Sequence, residues 1–399
     1  MSLVSALTAT TLALTTLTSP LPSPARNAVA LRWYDVTAET VAAASASAQA
    51  ADSRTWAISW LAAARSLHRP AAGGATRRTG YADAALASAV HTALSTLAPS
   101  RVTELDTALA DTLAAIPDGP GESSGVAAGR REARALLAER EDDGLDPASV
   151  NAPFPVPAPA PGVWQPTPPA YAPATQSGLR EARPFLLRRA DQFRPGPPPE
   201  LGSRPYDEDL AEVREYGSQA GTVRTQAQTD TAQFWLGSSL TLYTGVLRAG
   251  VEQAKRPAEL VALFHVALVD TQIATSDAKY AYLRWRPVTA LRAAGAADWT
   301  PLHTTPAHPD YPSGHNTYSG AAEGVLTAVL GPRARRPYTI TSPTQPGARR
   351  TYSDWSTPTR ENVDARVWSG IHTRTADLAG VRLGKQVGEN AVRNAHRLY

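Results

Sequence analysis

Between residues 153 and 205 the chain carries too much proline to form a long helix. Pro153-Phe154-Pro155-Val156-Pro157-Ala158-Pro159 and Pro197-Pro198-Pro199 stand in this stretch. Each proline removes a backbone donor and fixes φ. A helical architecture must therefore be assembled from two separate lengths of chain, 31–150 and 207–399, with 151–206 between them. Trp164, Tyr171, Phe185, Phe193 and Tyr206 interleave with the prolines. Leaving large aromatics in water forfeits about 1.5–3 kcal/mol each. The stretch is read as an extended strap pinned to a helical body by these rings; a flexible linker is the alternative.

The chain as a whole is Ala-rich, 43% hydrophobic, with five Phe. Small side chains suit closely packed helices over β-sandwiches, so an all-α fold is expected. Periodicity predicts helices over 31–70, 81–116 and 124–142, then 207–220 and 224–250. A long apolar helix is expected over 257–282 and another from Ser313 to about 330. The last two should span 361–370 and 376–395, after a surface segment at 331–360.

The net charge of +3, without a basic run of five or more, gives no argument for nucleic acid. The absence of cysteine excludes disulfides, thiolate metal sites and cysteine nucleophiles. Residues 3–17 are apolar but short and Thr-rich for a membrane span, and no membrane span is expected. Residues 1–30 read as a signal or leader: Ala28-Val29-Ala30 has the small-x-small form of a cleavage site, while no Lys or Arg precedes Arg26. On that weak signal a secreted or periplasmic location is the expectation.

Three polar motifs in the last third carry the chemistry. Ser313 in Pro312-Ser313-Gly314-His315 suits a helix N-cap, where free amides bind anions. Gly314 lets backbone approach a ligand, and His315 falls in the first turn. Lys279 and Arg286 are seven residues apart, two helical turns, hence on nearly one face. Two cations on an apolar helix either reach solvent or face a bound anion. Pro287 disfavours helix at Arg286. Arg366-Val367-Trp368-Ser369-Gly370-Ile371-His372 adds a third cation and a second imidazole, with Gly370 permitting a bend. Asp377 either starts the next helix or orients an imidazole. Taken one at a time, each motif is also compatible with ordinary surface or capping roles.

Together, Lys279 with Arg286-Pro287, Pro312-Ser313-Gly314-His315, and Arg366 with His372 resemble the three-part signature of vanadium-dependent haloperoxidases and type 2 phosphatidic acid phosphatases. Ile116-Pro117-Asp118-Gly119-Pro120, Gln192-Phe193-Arg194-Pro195, Asp277-Ala278-Lys279-Tyr280 and His308-Pro309-Asp310-Tyr311 look like the soluble bacterial haloperoxidase-related branch. The resemblance implies one or two four-helix bundles, with 207–399 as the catalytic bundle. It implies that Lys279, Arg286, Ser313, Gly314 and Arg366 bind the oxygens of vanadate. His372 would be the vanadium ligand, or the nucleophile of a phosphatase. His315 would be the acid–base group, and His308 a halide-site candidate resembling bromide-oxidising members. Two positions depart from the pattern. Ser276 stands where haloperoxidases carry a larger residue, and Ala376 stands where the phosphatases place the acid that here falls at Asp377.

The leading expectation is a vanadate-dependent haloperoxidase taking hydrogen peroxide, halide (bromide favoured) and an organic acceptor. The alternative is an acid phosphatase acting on phosphomonoesters with His372 as nucleophile and no cofactor. A non-catalytic anion-binding protein is the third reading.

Overall fold

The computed structural model describes residues 27–44, 49–68 and 75–399. The leader expected at 1–30 lies outside the described residues up to residue 26; Ala28-Val29-Ala30 form the first turn of a helix. The first region holds α1 (Ala28–Ala44), α2 (Gln49–Leu67), α3 (Ala75–Leu97), α4 (Val102–Ala114), α5 (Pro120–Glu139) and the one-turn α6 (Pro147–Val150). After the strap come α7 (Arg204–Tyr216), α8 (Gln226–Phe234), α9 (Ser239–Gln253), α10 (Pro257–Tyr282), α11 (Pro287–Ala293) and α12 (Gly314–Leu330). Strands β1 (Arg333–Thr341) and β2 (Arg349–Asp354) precede α13 (Ser356–Trp368) and α14 (Arg374–Asn394). The fold is all-α apart from this antiparallel hairpin.

Three expectations are corrected. The helix expected over 81–116 breaks at Pro99, which opens a short 3-10 turn before α4. The one expected over 224–250 breaks between α8 and α9 around Gly237. The segment at 331–360 is not featureless surface. Tyr338 and Ile340 point into the core while Thr339 and Thr341 face out, the period-two pattern of a strand.

Helix α10 is mostly apolar and buried on every face from Leu260 to Tyr280, which makes it the core helix. It is long and apolar enough to cross a membrane, and 94% of its most apolar window is buried inside the protein. Towards its start His265 stacks on Trp56 of α2, and Gln272 Nε2 donates to Ser53 Oγ of α2. Towards its end Thr275 Oγ1 donates to Thr317 Oγ1 of α12. The helix thereby joins the two helical regions and delivers its last turn to the site.

The strap is packed against this helix. Trp164 is fully buried. The Asp270 carboxylate accepts from the N–H groups of Phe185, Leu186 and Leu187 at 2.7, 2.8 and 2.9 Å. Arg194 holds Asp277 with two 2.7 Å bonds. Tyr171, expected to be an anchor, is 62% exposed instead. It lies on a left-handed turn (φ 47°) that leaves its ring outside.

Helices α12 and α14 approach at backbone distance. A Cβ on Gly380 would sit 2.6 Å from Ser313 O, and one on Gly384 2.0 Å from Thr317 O. Only glycine permits this approach, and it sets the start of α14 against the start of α12.

Candidate active site

Lys279 lies in the last turn of α10. Leu283 takes a left-handed conformation, donates its N–H to Lys279 O and ends the helix. Arg286 is extended (φ −84°, ψ 155°) and precedes Pro287 at the start of α11. Lys279 and Arg286 therefore do not share a helical face, contrary to the spacing argument. They are brought together by a turn, which the strap holds: Trp164 N–H donates to Leu283 O and Trp285 N–H to Gly162 O.

The three cations are all buried. Lys279 is 2% exposed, Arg286 0% and Arg366 1%. Lys279 Nζ donates to Pro309 O at 2.6 Å and Asp310 O at 3.1 Å. Arg286 donates from Nε to His308 O and from Nη1 to Ile371 O, each at 2.6 Å. Its Nη1 lies 3.2 Å from His372 Nε2, and its Nη2 3.0 Å from His308 Nδ1. Arg366 Nη1 donates to Trp235 O at 3.3 Å, while its buried Nε has no hydrogen-bond partner.

His372 follows Gly370, whose φ of +76° and contact with Gly217 O (2.3 Å from an added Cβ) require glycine. The imidazole is buried and its Nδ1 lies 2.6 Å from Asp310 Oδ1. Thr373 Oγ1 donates to Asp310 Oδ2 at 2.9 Å. A carboxylate only accepts, so the Nδ1 proton is fixed and Nε2 carries the lone pair, 3.2 Å from the Arg286 Nη1 donor. Ser313 occupies the N-cap position of α12 without capping it; its buried Oγ is near Asp377 but outside hydrogen-bond geometry.

His308, Gly314 and His315 are partly exposed and form the accessible side of the cluster. His315 Nε2 lies 3.0 Å from Gly237 O, so Nε2 carries the proton and Nδ1 the lone pair. An added Cβ on Gly314 would lie 3.8 Å from Lys279 Cε, ordinary contact, so glycine leaves room beside the lysine. Asp377 stands in the first turn of α14 but does not orient an imidazole. Its Oδ1 accepts from Asn316 Nδ2 at 2.7 Å, and its Oδ2 has no hydrogen-bond partner among the described residues.

Burial first, then mutual repulsion, governs the electrostatics. Desolvation pushes Lys279 well below the usual ammonium range, with Arg286 adding to the effect. It pulls Arg286 and Arg366 down to about 10. His372, His308 and His315 are all held well below the ordinary imidazole value, by burial and then by the neighbouring cations. Burial raises Asp310 to about 6 against the pull of Arg286 and Lys279, and raises Asp377 well above the carboxylate range. The cluster has a surplus of positive charge and hydrogen-bond donors. Two buried donors, Arg366 Nε and Ser313 Oγ, lack partners. Such orphaned donors are costly unless an anion takes them. Among the described residues no group of three or more His, Cys, Asp or Glu is placed to hold a metal cation. The donor set instead fits a tetrahedral oxyanion, vanadate or phosphate, with one imidazole nitrogen beside it.

Several site residues were not found by motif reading. Asp310 stands inside a quoted string, three residues before Ser313, but carried no assigned role. Trp235 O and Gly237 O belong to the break between α8 and α9, far from any motif. Thr175 of the strap donates its N–H and Oγ1 to Ala307 O, beside His308. The four-residue spacing of Gly380, Gly384 and Gly388 was the available signal for the α12–α14 approach.

Fold and site together define a helical-bundle protein with a buried cluster of three cations beside His372. Residues 259–399 match the family model of the VCPO second helical-bundle domain. The superfamily resemblance read from the three motifs is thereby borne out for the part of the chain that carries them. The chain is similar in structure to the first bacterial vanadium-dependent iodoperoxidase, with a TM-score of 0.77 and 23% identity over 94% of this chain and 98% of that one. It is also similar to a bacterial vanadium-dependent chloroperoxidase. The apo form gives a TM-score of 0.69 at 17% identity, covering 87% of this chain and 93% of that one. The holo form gives 0.67 at 17% identity, covering 95% and 94%. At these identities the likeness establishes the fold. No curated protein matches the chain in sequence.

Proposed function

We propose that this protein is a vanadate-dependent haloperoxidase that oxidises halide with hydrogen peroxide to hypohalous acid. The observation that carries the proposal is the set of three buried cations around His372, whose Nε2 is kept unprotonated by Asp310. Lys279, Arg286, Ser313, the Gly314 N–H and Arg366 would hold the vanadate oxygens, and His372 Nε2 would bind vanadium. When bound, vanadate supplies activation of hydrogen peroxide towards halide. The protein's own part is to stabilise negative charge with donors fixed in advance. His315 accepts and returns a proton at Nδ1, because Gly237 O holds its Nε2–H. His308 Nδ1 accepts from Arg286, which leaves its Nε2–H as a donor on the accessible side, suited to a halide. Bromide is favoured over chloride as substrate, and iodide, which loses electrons more easily, would be oxidised as well.

An acid phosphatase is the second reading. The same Asp310–His372 pair leaves Nε2 ready to attack phosphorus, and phosphate asks for the same donors. Purified protein loaded with orthovanadate should brominate a phenolic dye with peroxide and lose that activity when phosphate displaces vanadate. Hydrolysis of p-nitrophenyl phosphate, with vanadate acting only as an inhibitor, would overturn the first reading in favour of the second.

A further inference from the structure

At the other end of α14, about 20 Å along the helix from Asp377 by its rise per residue, a second group of donors converges. A cavity of about 400 Å³ is lined by Arg188, Arg189 and Gln192 of the strap and by Asn390, Asn394 and Arg397. Its floor is Asn390, 7% exposed, whose Nδ2 is buried without a hydrogen-bond partner. The orientation of that amide is set by its neighbour. Asn394 Nδ2 donates to Asn390 Oδ1 at 3.1 Å, so the two N–H groups of Asn390 are the ones left over. Gln192 is oriented the same way: its Oε1 accepts from Arg188 N–H at 2.8 Å, leaving its amide N–H groups free. Arg189 is neutralised by Asp191 at 2.9 Å. Arg188 and Arg397 have no ion-pair partner among the described residues.

We propose that this cavity is a second anion site, for a small organic anion bearing carboxylate or phosphate groups. Two unpaired guanidinium forks and the Gln192 amide line it above the buried, unpartnered Asn390 Nδ2, and planar forks suit either oxyanion. The volume exceeds what one inorganic ion fills, and the walls are polar apart from Leu186, which calls for a polar organic body. The negative end of the α14 dipole opposes an anion here, and Arg393 in its last turn and Arg397 in the 3-10 turn that follows offset it. The strap is rigid at this point because Asp270 holds the N–H groups of Phe185, Leu186 and Leu187 just before Arg188. A bound anion would therefore cross-link the strap to the C-terminal helix.

Calorimetric titration of the full chain at low salt, with propane-1,2,3-tricarboxylate and separately with glycerol 3-phosphate, tests this. One-to-one saturable binding of either probe is expected, and the preferred probe identifies the anion type. Arg188→Gln and Arg397→Gln, both at exposed positions, should each weaken binding by about tenfold or more, the loss of a charge-assisted bond. Asn390→Asp keeps the shape of the floor, replaces its donors with a carboxylate and should abolish binding, with circular dichroism reporting the fold. Arg286→Lys, in the buried cation cluster, should leave binding of the tricarboxylate unchanged. No saturable binding of either probe overturns the proposal. So does binding that Asn390→Asp and Arg188→Gln leave intact, or tricarboxylate binding that Arg286→Lys removes.

Discussion

Asp310 Oδ1 lies 2.6 Å from His372 Nδ1, with both side chains 1% exposed. This contact decides which nitrogen of His372 faces the buried cations. Asp310→Asn keeps the shape but can present an N–H to Nδ1, which reverses the tautomer. Vanadate or phosphate affinity and turnover should fall by about 10–100-fold, the usual effect of removing the partner that orients a ligand. Titration of the variant with orthovanadate checks this; wild-type affinity would remove Asp310 from the site.

His315→Ala should retain the fold and lose turnover by a factor of about 10²–10⁴, the range for an acid–base group. Oxyanion affinity should change far less, because the buried cations remain. Halogenation rate and vanadate binding, measured on one preparation, separate the two effects.

Arg366 Nε is buried and unpartnered, and Nη1 reaches Trp235 O. Arg366→Lys keeps charge but loses the planar fork. Vanadate affinity should drop by about tenfold or more. An unchanged dissociation constant would mean that the guanidinium does not face the anion.

His265 is buried, stacked on Trp56, with neither ring nitrogen bonded, and burial depresses it to about 3. The unfolded chain binds this proton near pH 6.5 and the folded chain near 3. The unfolded state therefore holds more protons between these values, and stability falls as pH drops through that window. The contribution is up to about 1.4 kcal/mol per pH unit. His265→Phe keeps the stacking and should lose less stability than wild type between pH 6.5 and 4.5. Denaturant unfolding at both values checks it; equal losses would contradict the assignment.

Gly384→Ala would place a Cβ 2.0 Å from Thr317 O, where backbone must move. Destabilisation by about 1–3 kcal/mol is expected from overpacking. Gly314→Ala meets atoms only at 3.8 Å and beyond, so its melting temperature should stay near wild type. Thermal unfolding of the two variants side by side tests the contrast.

The elements legible without coordinates are those dictated by local physics. The span of α10 follows from a predominantly apolar segment between Pro257 and Tyr282 with no internal Pro or Gly, and that of α12 from Ser313 ahead of apolar periodicity. The cations and imidazoles were legible as types at fixed spacings. What local patterns misjudged was geometry between segments. The turn at Leu283, not a shared helical face, joins Lys279 to Arg286. The carboxylate at His372 is Asp310, 62 residues away in sequence, whereas the nearby Asp377 serves Asn316. Proton positions on His315 and Arg366's anchorage depend on carbonyls of the break between α8 and α9. A side chain's chemical type is written in the sequence. Which nitrogen carries its proton, and which charge lacks a partner, depends on atoms brought from distant segments, and only the folded packing supplies those.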